Sequence, residues 1–217
     1  MPRPSTIAVD GPVASGKSTV SRMLAQRLGY RYVDTGMMYR AVTWKALRLD
    51  IGLEDEGELT RLAATTRMDV TADAVLVDVE DVTAELRGVE VEKGVSLVAK
   101  VKGVRDVLVE QQRELARGGN IVMAGRDIGT VVLPDADFKV YLLASLEERA
   151  RRRYNDLVKQ GQTADLQAVL ADLRTRDEID SGRAISPLQP AEDATLIDTD
   201  GLSIEEVLSR ILRMVGE

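Results

Sequence analysis

Gly11-Pro12-Val13-Ala14-Ser15-Gly16-Lys17-Ser18 sets two glycines, a lysine and a hydroxyl in the spacing G-x-x-x-x-G-K-[ST]. Glycines there let successive backbone N–H groups turn inward around phosphate oxygens. The lysine reaches the β- and γ-phosphates of a nucleoside triphosphate, and the hydroxyl after it faces Mg²⁺. The flanks agree with this chemistry. An apolar run, Thr6–Asp10, precedes the motif, and Thr19–Leu28 follows with Val20, Met23, Leu24 and Leu28 at helical spacing. A helix starting there aims its positive end at the bound anion. Gly11, Pro12, Val13, Ala14, Ser15, Gly16, Lys17, Ser18 and Thr19 are therefore the ATP-binding candidates. Lys17 is the group expected to stabilise the transferred phosphoryl, with Ser18 as the Mg²⁺ ligand and Asp10 and Asp34 as further metal candidates.

Four more clusters carry charge suited to a second anion. In Asp34-Thr35-Gly36-Met37-Met38-Tyr39-Arg40, Arg40 is able to clamp a phosphate bidentately while Thr35 and Tyr39 supply hydroxyls. Gly125-Arg126-Asp127 places an Arg–Asp pair just past an apolar run. Arg149, Arg152 and Arg153 share one helical face. They read as a solvated helix side, as a nucleic-acid contact, or as a mobile lid whose arginines close over the phosphoryl group. Arg176, Asp180 and Arg183 recur at i, i+4 and i+7, as an ion-pair ladder or as ligand-facing groups. Val75-Leu76-Val77-Asp78 imitates a metal-holding strand end but lies in a stretch alternating apolar and acidic residues, and reads as a structural strand.

The chain contains no His and no Cys, which removes histidine acid–base chemistry, thiol nucleophiles, disulfides and Cys/His zinc sites. What remains is Lys, Arg, carboxylates, hydroxyls and backbone dipoles. Transfer of a phosphoryl group onto an acceptor that is itself a phosphate sets anion against anion, so several cations must hold both in line. A strong base is unnecessary, because a phosphate monoester has its second pKa near 6. The formal charge of −7 argues against bulk nucleic-acid binding. No apolar run approaches membrane-spanning length, and the first residues carry no secretory pattern, so the expectation is a cytoplasmic protein without membrane partners.

These side chains need a scaffold that brings distant segments to one edge. Strands are predicted at Thr6–Asp10, Tyr30–Asp34, Asn120–Ala124, Phe138–Leu143 and Thr195–Ile197. Helices are predicted at Thr19–Leu28, Met37–Leu49, Glu56–Thr65, Val104–Ala116, Leu146–Lys159, Leu166–Arg176 and Ser203–Met214, the last opened by a Ser203/Glu206 capping box. Such alternation implies an α/β fold: a mainly parallel sheet covered by helices on both faces, with ligands at the strands' carboxyl ends. Asp10, Asp34 and Gly125 fall at those ends. Met68–Val82 reads as small exposed strands in an insertion too slight for a core of its own.

Taken in order and spacing, four blocks resemble the bacterial cytidylate (CMP) kinases, which are P-loop nucleoside monophosphate kinases. They are Asp10-Gly11-Pro12 with Ser15-Gly16-Lys17-Ser18, Asp34-Thr35-Gly36-x-x-Tyr39-Arg40, Gly125 to Pro134, and Arg176-Asp177-x-x-Asp180-x-x-Arg183. The likeness runs from about Thr6 to the C-terminus. It implies ATP + (d)CMP → ADP + (d)CDP with Mg²⁺, a monomer, and small nucleotides as the only partners. It also implies a core at 1–36, 104–148 and 177–217, a monophosphate-binding insertion at 37–103 and a helical lid at 149–176. Carried over, Arg40, Arg126 and Arg176 are acceptor-phosphate clamps, with Thr35 and Tyr39 beside them. Ser96, Arg105 and Asp127 read the cytosine edge; Asp180, supported by Arg183, holds the ribose. Lys17, Arg126, Arg176 and the lid residues Arg149 and Arg153 are the expected catalytic set. Other readings are a P-loop kinase for AMP, UMP or shikimate, and a nucleotide-dependent regulatory ATPase.

Overall fold

The computed structural model describes residues 3–183 and 185–217. Five parallel strands form the main sheet: β1 (Thr6–Asp10), β2 (Arg31–Asp34), β6 (Ile121–Gly125), β7 (Phe138–Leu143) and β8 (Thr195–Asp198), in the order β2-β6-β1-β7-β8. The central strands are buried on both faces, which is why they read as unbroken apolar runs. Register brings the functional ends level: Asp10 pairs with Gly125, and Asp34 with Ala124.

One face of the sheet is covered by α1 (Lys17–Leu28) and α8 (Ile204–Met214), which bury Val20, Leu24, Val207, Leu208 and Ile211. Ser203 and Glu206 cap α8 reciprocally, as the sequence predicts. Val109 and Ala116 of α5 (Lys102–Ala116), with Ile128 and Val132, cover the opposite face. A third, smaller cluster (Ala150, Val169 and Leu173) joins α6 (Leu146–Lys159) to α7 (Leu166–Ser181). α7 therefore runs five residues beyond the expected end and carries Asp180 within the helix.

The insertion departs from expectation. α2 (Thr35–Arg48), α3 (Glu56–Thr65), the antiparallel strands β3 (Met68–Val70), β4 (Val75–Val77) and β5 (Glu80–Asp81), and α4 (Val89–Val98) surround a substantial apolar core. That core includes Met38, Leu59, Val75, Val77, Leu86 and Leu108. Bulk comes from α2 and α5, helices the sequence reading places outside the small strands, so the strands need little of their own. α4 was not expected. Its Val89-Glu90-Val91-Glu92 alternation imitates a strand and Gly94 lowers helix propensity. Packing reverses that preference, since a Cβ at Gly94 would stand 2.5 Å from Leu53 Cδ1 and 3.0 Å from Thr43 Cγ2. Asp78 follows β4 in this region and pairs with Lys45 at 2.5 Å, in a structural role as expected.

Candidate active site

The loop between β1 and α1 takes backbone shapes that only certain residues tolerate. Gly11 has φ 151°, and a Cβ there would meet the Leu142 carbonyl oxygen at 2.5 Å. Ala14 and Gly16 also have positive φ, and Gly16 caps α1. Lys17 folds back over the loop, its Nζ donating to the Pro12 carbonyl at 3.0 Å. Burial, then the positive charge of Arg126, pull the lysine pKa well below its ordinary value. Arriving phosphates reverse that penalty, so the site is electrostatically tuned for an anion.

One cleft opens at the carboxyl edge of the sheet. Among the expected site residues, Val13, Ala14, Lys17, Ser18, Thr35, Tyr39, Arg40, Ser96, Arg105, Arg126, Asp127, Arg176, Asp180 and Arg183 line it, together with Asp34, Val95 and Ala99. Residues more than a hundred positions apart thus share one wall. Gly11, Pro12, Ser15 and Gly16 of the loop, and Thr19 in the first turn of α1, do not line the cleft.

Arg126 Nε donates to Asp180 Oδ2 at 2.8 Å, and Arg183 holds the other oxygen of Asp180. Burial raises the Asp180 pKa, but Arg126 and Arg183 overcome it and leave the carboxyl below its usual range. Arg105 and Asp127 form an ion pair with side chains 3% and 7% exposed. Burial pushes the Asp127 pKa up against the pull of Arg105. Arg105 also lies over the Tyr39 ring, 5.6 Å from its centroid, and its Nε has no hydrogen-bond partner among the described residues. A buried guanidinium with an unused donor is an incomplete polar site. Burial pushes the Tyr39 hydroxyl up to about 12, so it stays a neutral donor. Thr35 Oγ1 donates to the Ala124 carbonyl at 3.0 Å, which ties the start of α2 to β6.

Asp10 corrects an expectation. Its buried carboxylate accepts from Ile128 N at 2.8 Å and from Gly129 N at 2.7 Å, and it does not line the cleft. It is a brace for the π-helical turn Ile128–Val132 and not a metal candidate. That turn aims Arg126 and Asp127 at the cleft. Asp34 keeps its candidacy, since Ser18 Oγ donates to its Oδ2 at 2.8 Å at the cleft wall. A hydroxyl and a carboxylate oxygen beside the phosphate loop fit Mg²⁺, a hard cation that takes oxygen ligands. No group of three or more carboxylates gathers among the described residues, so phosphate oxygens and water would complete such a shell.

The lid arginines also differ from expectation. Arg149 is buried and holds Asp177 bidentately at 3.1 and 2.5 Å, while also donating to the Val13 carbonyl at 3.3 Å. It braces the phosphate loop from behind instead of hanging over the cleft. Arg152 donates to the Thr199 carbonyl at 2.5 Å and weakly to the Ser15 carbonyl at 3.4 Å. Arg153 meets Glu92 at 2.6 Å, and Arg176 meets the same carboxylate at 2.9 Å. Neither Arg149 nor Arg153 lines the cleft. Glu92 was missed at the sequence level, because nothing marked it among the acidic residues of a helix that itself resembled a strand.

A parallel sheet, a phosphate loop ending β1 and an arginine-rich cleft opposite it define a P-loop kinase of small anionic acceptors. The fold is shared with a gluconokinase from Sinorhizobium meliloti (TM-score 0.53, 14% identity, covering 99% of this chain and 93% of that one). It is shared as well with a shikimate kinase from Bacteroides thetaiotaomicron (TM-score 0.51, 15% identity, 98% of each chain). The chain belongs to the cytidylate kinase family, whose model matches residues 7–217. It is 52% identical to a cytidylate kinase of Desulforamulus reducens, covering 96% of each chain. To a cytidylate kinase of Bacillus velezensis it is 48% identical, over 100% of this chain and 99% of that one.

Proposed function

We propose that this protein transfers the γ-phosphoryl group of ATP to CMP and dCMP, releasing ADP and CDP or dCDP. The observation that carries the reading is the cleft itself, where the phosphate loop faces Arg40, Arg126 and Arg176 across one gap. Membership of the cytidylate kinase family supports cytidine as the acceptor's nucleoside.

Residues Gly11–Thr19 cradle the donor, and Lys17 neutralises charge on the phosphoryl in flight. Ser18, with Asp34 behind it, would hold Mg²⁺, which would supply positive charge against the donor phosphates. Arg40, Arg126 and Arg176 seat the acceptor's phosphate. One of its oxygens bonds to the γ-phosphorus as the bond to the ADP oxygen breaks. The acceptor is already ionised near neutrality, so no residue needs to remove a proton. Arg105, Asp127 and Ser96 face the cytosine. A carboxylate and a hydroxyl oxygen accept from its N4 amino group, and the guanidinium donates to O2 and N3. A uracil offers no amino donor there, so UMP loses that match. Asp180, fixed between Arg126 and Arg183, takes the ribose hydroxyl, with Thr35 and Tyr39 beside the same pocket. Arg149 and Arg153 act from the lid, Arg149 by bracing the loop through Val13.

The working parts are a core (1–36, 104–148, 177–217), an acceptor-binding insertion (37–103) and a lid (149–176), in a monomer of the cytoplasm. No helix among the described residues is long and apolar enough to cross a membrane. A coupled ADP-release assay with CMP, dCMP, UMP, AMP and shikimate tests the proposal. Turnover is expected to be highest with CMP and dCMP, and preference for any other acceptor refutes it.

A further inference from the structure

Glu92 is a carboxylate placed where a cleft gathers cations for phosphate. From the first turn of α4 it accepts from Arg153 of α6 at 2.6 Å, Arg176 of α7 at 2.9 Å and Arg40 of α2 at 3.5 Å. Among the described residues no other carboxylate pairs with three arginines; Asp180 and Glu148 each hold two. Burial raises the Glu92 pKa, but the three guanidiniums outweigh burial and hold it below the ordinary glutamate range. The group is therefore an anion at neutral pH.

The hydrogen-bond pattern separates fixed contacts from exchangeable ones. Arg40 Nη1 already donates to the Leu86 carbonyl at 3.1 Å, and Arg176 Nη2 to the Glu92 carbonyl at 3.1 Å. Those backbone contacts hold the two guanidiniums whatever the carboxylate does. The N–H groups given to the Glu92 side chain are the ones an incoming phosphate monoester would take. We propose that Glu92 is a built-in surrogate for the acceptor's phosphate, holding Arg40, Arg153 and Arg176 in the free protein and surrendering them when the acceptor arrives.

This rests on the reading of Arg40 and Arg176 as acceptor-phosphate clamps. The exchange has a consequence for the insertion. Glu92 is the side chain that ties α4 to α6 and α7, and Ser96 lies one turn further along α4 at the base end of the cleft. Release of the Glu92 carboxylate removes its ties to Arg153 and Arg176 and leaves the Arg176 contact to the Glu92 carbonyl as a pivot on which α4 carries Ser96 toward the base. An internal competitor also lowers apparent affinity for any phosphate by the fraction of time it occupies the clamp.

Isothermal titration with inorganic phosphate tests the exchange without reference to any nucleoside. Glu92→Gln keeps the shape and removes the charge, and it is expected to bind phosphate about 5–20-fold more tightly than the wild type. The KM for CMP is expected to fall by a similar factor. Glu90→Gln, an exposed neighbour paired only with Lys93, is expected to change neither. Phosphate binding that is unchanged or weaker in Glu92→Gln overturns the proposal and makes Glu92 a fixed strut for the arginines. Hydrogen exchange on the wild type gives a second reading that needs no variant. Phosphate is expected to speed exchange at residues 89–98, and unaltered or slower exchange there overturns the proposal equally. Phosphate titration and the acceptor panel fail separately, since one reads the clamp and the other the nucleoside.

Discussion

Arg126 reaches the cleft from the end of β6 and leans on Asp180, whose other arginine partner among the described residues is Arg183. Arg126→Ala therefore removes one of the proposed acceptor clamps and leaves the buried Asp180 with one guanidinium fewer. The expected loss of transition-state binding is about 1.5–3 kcal/mol, a ten- to hundredfold fall in kcat/KM. A coupled assay showing wild-type turnover refutes the role. Asp10 invites a different test, because its two backbone bonds do not overcome burial and its pKa rises from 3.8 to about 6. Between those values the folded protein binds a proton that the unfolded chain has lost. The stability contributed by this group is complete below the lower value and disappears as pH rises through the upper one, a difference of about 3 kcal/mol. Urea unfolding of wild type and Asp10→Asn from about pH 4 to about pH 7 reads it directly. Wild type is expected to lose ground against the variant as pH rises, and a constant difference refutes the assignment.

The segment from Gly125 to Val132 shows how an element turns a strand end into a binding wall. Its backbone departs from ordinary helix, with Val132 N donating to Asp127 O at 3.2 Å and Leu133 N to Ile128 O at 2.7 Å. Space is as restrictive as hydrogen bonding. A Cβ at Gly125 would stand 2.6 Å from both Thr35 Oγ1 and Ile128 Cδ1. Gly125→Ala should therefore cost about 1–3 kcal/mol in overpacking and raise the acceptor KM, because Thr35 and Ile128 must both shift at the cleft wall. Gly118→Ala meets nothing within 4 Å and is the control, expected within about 0.5 kcal/mol of wild type in urea melts. The same contrast explains what sequence alone made legible. The phosphate loop, the main strands and the Ser203 cap are local, each set by neighbours in sequence, and they were readable. α4, the core of the insertion and the Asp10 brace depend on partners far along the chain. Asp10 finds its N–H groups 118 and 119 residues away. The arginines of the site were legible as a charge pattern, and their spacing gave the Arg183–Asp180 pair, but the pairings of Arg126 and Arg176 were not legible. Spacing placed Arg176 near Asp180, whereas the fold gives Asp180 to Arg126 and Arg183 and gives Arg176 to Glu92.

At the scale of the molecule, the apolar clusters divide along the cleft. One cluster underlies the insertion, two clothe the sheet and a small one joins α6 to α7. α5 joins the insertion's cluster to the sheet, through Leu108 on one side and Val109 on the other, whereas the α6–α7 cluster shares no residue with the insertion's, and the cleft lies between those two bodies. Glu92 of α4 with Arg153 and Arg176, and Asp180 of α7 with Arg126, supply ion pairs across the gap. Such ties exchange partners easily, unlike buried apolar contacts, and a phosphorylated ligand offers an alternative partner for each arginine. Donor and acceptor together should therefore stabilise the whole by binding only the folded form. An acceptor at about a hundred times its Kd contributes about 2.7 kcal/mol, which for a chain of this length raises Tm by about 5–10 °C. The effect should concentrate where the bodies meet. With a nonhydrolysable ATP analogue and CMP present, hydrogen exchange is expected to slow across α6, α7 and the turn at 160–164, while β1, β6 and β7 stay protected throughout. Equal slowing with either ligand alone would show that closure does not need both, and the lid would then follow one nucleotide instead of sensing the pair.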